Sequence, residues 1–187
     1  REIASLTKIM TCYSILTLLP KLSLDEHHTY ITIKPFAESV LGTSAELQSW
    51  DRLSVWELLH AMMLPSGNDA AAVLAEFFGE KLEQDGVFEA VTRLEEGKAL
   101  PSLATKFSAF RDTPPILKFI HYMNYVSKVE LGLRNTFFDS VHGLQNWYNR
   151  STALDVGLLS FKAMQMQKFR RIVSTKYFRV RKREGVQ

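Results

Sequence analysis

Ser5 and Lys8 stand three positions apart in a segment, Ile3 to Leu19, that is otherwise apolar at most positions. At helical spacing two such side chains share a face about one turn apart. Burial in so apolar a stretch disfavours an ammonium ion, and a neutral lysine amine can take the proton of a neighbouring hydroxyl and make it a nucleophile. A serine near a helix N-terminus also gains free N–H groups and the positive end of the dipole, both of which stabilise an oxyanion. Ser-x-x-Lys alone arises by chance in many helices, so it needs a second element. Ser66-Gly67-Asn68 offers one: a hydroxyl for proton relay and an amide to hold a substrate carbonyl.

The elements that must position these groups can be read from capping and periodicity. Ile3 to Leu19 predicts a helix buried on all sides and ended by Pro20. Tyr30 to Lys34 has the β-branched content of a short strand, and Gly42 to Asp51 reads as turns and loop. Ser54 and Glu57 form a capping box that opens an apolar helix stopping at Pro65. Asn68 then caps a second helix, Asp69 to Phe78, closed by Gly79. So short a break between buried helices should hold Ser66, Gly67 and Asn68 nearly rigid. Residues 81–115 are charged and end in Pro114-Pro115, an irregular, partly helical excursion. Ile116 to Leu131 resumes as an amphipathic helix, Asn135 to Arg150 is a loop, and Thr152 with Asp155 caps a helix running to Met166. Lys176 to Lys182 alternates like an exposed strand.

Composition sets outer bounds. With 46% hydrophobic and 23% charged residues the chain has material for a core, which excludes a disordered tail, and Cys12 alone excludes a disulfide scaffold. No apolar run reaches the roughly 18 residues that span a bilayer. The net charge of +3 is uneven. Lys168 to Gln187 holds eight basic residues and one acid, a net +7, so the preceding residues, 15 basic and 19 acidic, carry −4. That block could be a docking surface, but its basic residues alternate with Phe178 and Val180 as a sheet strand requires, which argues against nucleic acid. His27 and His28 lack a third ligand at helical spacing, His60 and His121 fall on apolar helices, and Cys12 reads as an inert buried thiol. Trp50, Trp56 and Trp147 read as packing residues. The start at Arg1, without Met or a signal-like region, and the end at Gln187 on a strand pattern suggest a segment of a longer protein.

Arg1-Glu2-Ile3-Ala4-Ser5-Leu6-Thr7-Lys8 together with Leu64-Pro65-Ser66-Gly67-Asn68-Asp69 resembles the D-alanyl-D-alanine carboxypeptidases, the low-molecular-mass penicillin-binding proteins. Gly42-Thr43-Ser44-Ala45, Leu53 to Leu59, Asn135-Thr136-Phe137-Phe138, His142-Gly143-Leu144 and Ser151-Thr152-Ala153 extend the likeness over roughly residues 1–79 and 117–180. The resemblance implies an α+β chain with a β-lactamase/transpeptidase-like fold, here a helical subdomain plus part of an antiparallel sheet, forming one incomplete domain over residues 1–187 with an insertion at 81–115. It implies Ser5 as acylated nucleophile, Lys8 as general base, Ser66 as proton relay and Asn68 as substrate-positioning group. The substrate implied is a peptide ending in D-Ala-D-Ala, or a β-lactam, with no metal or cofactor, in the cell envelope. The family's Lys-Thr-Gly motif does not occur in these 187 residues. The alternative is an inactive scaffold of the same fold, with residues 81–115 or the basic segment as a surface for a protein partner.

Overall fold

The computed structural model describes residues 1–84, 113–144 and 147–180. Its centre is α1, Thr7–Lys21, entered through a 3-10 turn at Ala4–Leu6. Met10, Cys12, Ile15 and Leu18 of α1 are wholly buried, as is Thr11 on the side facing the loops. Each fully buried aliphatic side chain contributes about 1.5–3 kcal/mol, so α1 stays helical without a side-chain cap at its start. Pro20 does not end the helix: its fixed φ suits the last turn, which runs on to Lys21, and Leu22 N–H closes on Leu18 O at 3.0 Å.

A two-stranded antiparallel ribbon, β1 (Tyr30–Thr32) and β2 (Arg52–Ser54), pairs Tyr30 with Ser54, Ile31 with Leu53 and Thr32 with Arg52. β2 falls where the sequence suggests only the end of a loop, because a three-residue strand has too few positions to show alternation. β2 leads directly into α2, Val55–Met63, whose capping box forms in full: Glu57 N–H donates to Ser54 Oγ at 3.2 Å and Ser54 N–H to Glu57 Oε2 at 2.8 Å.

The next helix, α3, runs from Asn68 to Gln84, straight through Gly79. Gly79 acts as a contact point rather than a stop. A Cβ there would lie 1.9 Å from the Pro115 carbonyl oxygen, so the missing side chain lets α3 approach the start of α4, Pro115–Tyr125, on which it packs extensively. Of the segment 81–115, only 81–84 and 113–115 are described, and the expected irregular excursion otherwise lies outside the described residues. A π turn, Val126–Glu130, prolongs α4, so the amphipathic helix expected to Leu131 changes its winding after Tyr125.

The chain closes with α5, Ala153–Gln165, and α6, Gln167–Val173. The Thr152 hydroxyl caps α5 by accepting from Asp155 N–H at 3.1 Å. The strand expected at Lys176 to Lys182 does not form among the described residues: 176–180 carry no ladder, although Phe178 is half-buried between exposed Tyr177 and Arg179. Instead Phe178 stacks on His60, ring centroids 3.8 Å apart, while Lys168 pairs with buried Glu26 at 2.7 Å. Trp56 is buried, whereas Trp50 and Trp147 are exposed rather than packed. No helix of the described residues is long and apolar enough to cross a membrane.

Among the described residues, α1 contacts all five other α-helices, which converge on it from separate parts of the sequence. Gly79→Ala should lose about 1–3 kcal/mol of stability, since the clashing atom is backbone and cannot rotate away. Urea unfolding of the full-length protein measures this, and an unchanged midpoint would contradict the close approach of α3 and α4.

Candidate active site

The helices place Ser5 and Lys8 at the exposed entrance to α1, with Ser5 on the 3-10 turn rather than on the helix itself. Ser5 is open to solvent and Lys8 is buried. Lys8 Nζ lies 3.2 Å from Ser5 Oγ, 2.7 Å from Asn68 Oδ1 and 3.0 Å from the His142 carbonyl oxygen. Ser66 Oγ donates to Ser5 Oγ at 3.0 Å. The four residues singled out by spacing, Ser5, Lys8, Ser66 and Asn68, thus form one hydrogen-bonded cluster. Burial draws the Lys8 amine down from its ordinary 10.5 to about 8, against the opposing pull of the Asp69 carboxylate.

Each member is held from behind. The Asn68 amide nitrogen donates to Leu41 O at 2.7 Å, which orients its oxygen at Lys8. Gly42, at φ +95°, allows this: a Cβ there would lie 2.5 Å from the Asn68 amide nitrogen. Asn68 does not cap α3, because its side chain is committed to Lys8 and Leu41. The latch behind it is Asp69, whose buried carboxylate accepts from Ser44 Oγ at 2.8 Å, Ala45 N–H at 3.0 Å and Leu47 N–H at 3.2 Å. Thr43 completes the clasp, donating its hydroxyl to Ser66 O at 2.5 Å and accepting from Asn68 N–H at 2.7 Å. Ser66 is held at φ +60°, a region costly for a residue with a Cβ and found where surrounding structure imposes it.

The opposite wall is the loop after α4. Asn124 grips Phe138 through both of its amide atoms, donating to Phe138 O at 2.7 Å and accepting from Phe138 N–H at 2.9 Å. Asp155 accepts from Asn135 N–H and Thr136 Oγ1. Thr11 donates to Val141 O at 2.6 Å, and the Asn149 amide nitrogen donates to Thr7 Oγ1 at 2.7 Å. These bonds lay the loop along α1 and deliver the His142 carbonyl to Lys8.

The His142 carbonyl and the Asp69 latch are absent from the reading by spacing. A backbone carbonyl leaves no trace in residue type, though Gly143, the position that permits its turn, does. Asp69 could be suspected only as an acid in the first turn of a helix. His60 keeps the hydrogen-bonded interior role expected of it, with Nδ1 2.8 Å from Trp56 O. His28 is exposed against Asp25, and Cys12 is buried with its thiol pushed up by desolvation.

Residues 1–84 match the family model described as D-alanyl-D-alanine carboxypeptidase. A D-alanyl-D-alanine carboxypeptidase from Streptomyces sp. (strain K15) is 31% identical over 182 residues, 95% of this chain and 51% of that protein. DacF of Bacillus subtilis (strain 168), of the same description, is 26% identical over 172 residues, 92% of this chain and 35% of its own length. The crystal structure of the Streptomyces K15 DD-transpeptidase superposes with a TM-score of 0.73 at 28% identity, covering 98% of this chain and 63% of that one. This chain is a relative of the D-alanyl-D-alanine carboxypeptidases. Its fold is that of the DD-transpeptidase, represented by the helical part and a two-stranded antiparallel ribbon. The chain spans about half the length of the first of these carboxypeptidase relatives, and about a third of the second.

Gly143, at φ +81°, passes directly over the 3-10 turn, and a Cβ on it would lie 1.8 Å from Ala4 O. Gly143→Ala should therefore displace the turn that carries Ser5 while leaving the full-length protein folded, which the backbone amide resonances of residues 4–8 measure. Unchanged resonances there would show that the loop does not set the position of Ser5.

Proposed function

We propose that the complete protein is a serine hydrolase acting on peptides that end in D-Ala-D-Ala, through an acyl-enzyme on Ser5. The observation that carries this reading is the set of partners around Lys8. As an ammonium Lys8 has three donors for three acceptors. As a neutral amine it has two donors and a lone pair. Asn68 Oδ1 and His142 O can only accept, so the two hydrogens stay with them and the lone pair falls to Ser5, whose hydroxyl can donate. Loss of one proton converts the same cluster into a serine hydrogen-bonded to its base. With a pKa of about 8 instead of 10.5, the neutral fraction near pH 7 rises about 300-fold.

Ser5 Oγ then attacks the carbonyl carbon of the penultimate D-Ala as its proton passes to Lys8 Nζ. The N-terminal end of α1 favours the negative charge that develops on the carbonyl oxygen. Collapse of the tetrahedral adduct breaks the C–N bond, and the departing amine takes a proton from Ser66 Oγ; the proton that Lys8 Nζ received from Ser5 then restores the Ser66 hydroxyl, since Ser5 Oγ is by now bonded to carbon and carries none. The terminal D-Ala leaves, and water, deprotonated by the same amine, hydrolyses the ester on Ser5. A β-lactam would enter by the same attack, its amine remaining tethered after the ring opens. Asn68, fixed by Leu41, is the group assigned to hold the acyl-side amide of the substrate.

We read residues 1–187 as part of one domain with an insertion at 81–115. On the alternative reading, an inactive scaffold, the cluster would survive as structure without reacting.

Mass spectrometry of the full-length protein with a penicillin separates the two. Wild type should gain one penicillin mass on the peptide bearing Ser5, Ser5→Ala none, and Lys8→Ala should label at least a hundredfold more slowly. A folded wild type that stays unlabelled would sink the enzyme reading and favour the scaffold.

A further inference from the structure

The His142 ring sits behind the carbonyl that holds Lys8, and its protonation state is fixed by its neighbours. Leu144 N–H points at Nδ1 across 3.1 Å, and a backbone N–H can only donate, so Nδ1 must be unprotonated. Ser140 Oγ lies 3.1 Å from the same nitrogen. That oxygen already accepts from His142 N–H at 3.2 Å and Gly143 N–H at 2.9 Å, which leaves its own hydrogen to point at Nδ1. The ring is therefore neutral with its proton on Nε2. Nδ1 and Ser140 Oγ between them collect the N–H groups of residues 142, 143 and 144, which belong to the peptide of the carbonyl that meets Lys8 and to the peptide on each side of it.

We infer that His142 is a positioning residue for Lys8: in its neutral form it ties the 140–144 turn so that the His142 carbonyl holds the amine, and a second ring proton on Nδ1 unties it. The inference rests on the acyl-Ser5 reading for its consequence in catalysis. A proton on Nδ1 would face Leu144 N–H head on and would force the Ser140 hydroxyl to turn away. Among the described residues, Lys8, from α1, is the charged side chain that acts on the ring. Asp69, from α3, acts on Lys8 and holds its proton more firmly. Within the turn itself Ser140 does not titrate. Burial first, and the Lys8 charge second, keep the His142 ring below its ordinary value, so it is neutral through the neutral range and gains its proton only on the acid side.

The consequence is an acid limb with two steps. Between the Lys8 value and that of His142, reaction requires one proton to be absent, and the acylation rate should fall tenfold per pH unit. Below the His142 value it requires two to be absent and should fall a hundredfold per unit. His142→Asn supplies an amide oxygen near the position of Nδ1 that accepts from Leu144 N–H and cannot be protonated. Its profile, scaled to its own alkaline plateau, should stay at tenfold per unit throughout. Ser140→Ala removes a donor to Nδ1, which makes the second proton easier to add, so its steep region should begin at higher pH. A purely structural role would instead lower the plateaus and leave all three slopes alike, which would overturn the inference.

The measurement is penicillin acylation of full-length protein against pH, paired with nitrogen NMR of the His142 ring. The inference expects a neutral ring protonated at Nε2 that titrates below 6.5. A ring protonated at Nδ1 when neutral, or one titrating at or above 6.5, refutes it whatever the kinetics. If wild type takes no penicillin while the ring behaves as expected, the acyl-Ser5 reading is what fails, and the hold of His142 on the turn stands.

Discussion

The constraint on which the structure turns is a buried lysine that must share its protons among three oxygens. Lys8 is a buried amine at the mouth of the largely apolar α1, and desolvation draws it from 10.5 to about 8, away from the charged form. A charge so placed is tolerable only with good partners, and removing one costs several kcal/mol. Two of the three, Asn68 Oδ1 and the His142 carbonyl, cannot give a proton back. The third, Ser5 Oγ, can. On the proposed reading, that asymmetry is what selects Ser5 as the oxygen that reacts when the amine is neutral.

Much of the surrounding architecture serves to bring those oxygens to one point. Ser5 comes from the turn before α1, Asn68 from the start of α3, and His142 from the loop behind α4. None is adjacent to another in sequence, and each is fixed by a different latch: Gly143 over Ala4, Leu41 and Asp69 around Asn68, and Thr11 under Val141. Threonine hydroxyls and glycines without a Cβ recur at these latches because backbone must approach backbone or a polar head closely. The left-handed φ of Ser66 belongs to the same clasp, where Thr43 grips both sides of Gly67 and leaves the Ser66 hydroxyl against Ser5.

How far this was legible in the sequence follows from what each feature depends on. The helices were readable where capping chemistry is local, as at Ser54 with Glu57 and at Thr152 with Asp155. Ser5 with Lys8 was readable from their spacing, and the rigidity of Ser66 to Asn68 from the short break between two helices; that the two pairs meet was implied by the resemblance of both motifs to the carboxypeptidases. Gly79 misled because a glycine at a helix end and a glycine at a helix crossing look alike until the crossing helix is known. The alternation at 176–180 misled because it records which side chains face the core without revealing whether a neighbouring strand pairs with them. Trp50 and Trp147 lie on loops, where side-chain size says little about burial. The His142 carbonyl could not be read at all, since it is a backbone atom brought in from more than a hundred residues away.

The likeness to the carboxypeptidases and to the DD-transpeptidase agrees with this arrangement but does not explain it; the explanation lies in the amine and its three oxygens. Titration of Lys8 in the full-length protein, followed through the nitrogen resonance of its side chain, tests that directly. The account predicts a transition near pH 8. A transition at the ordinary 10.5 would mean that Lys8 is neither desolvated nor poised, and the proposed base would be lost with it.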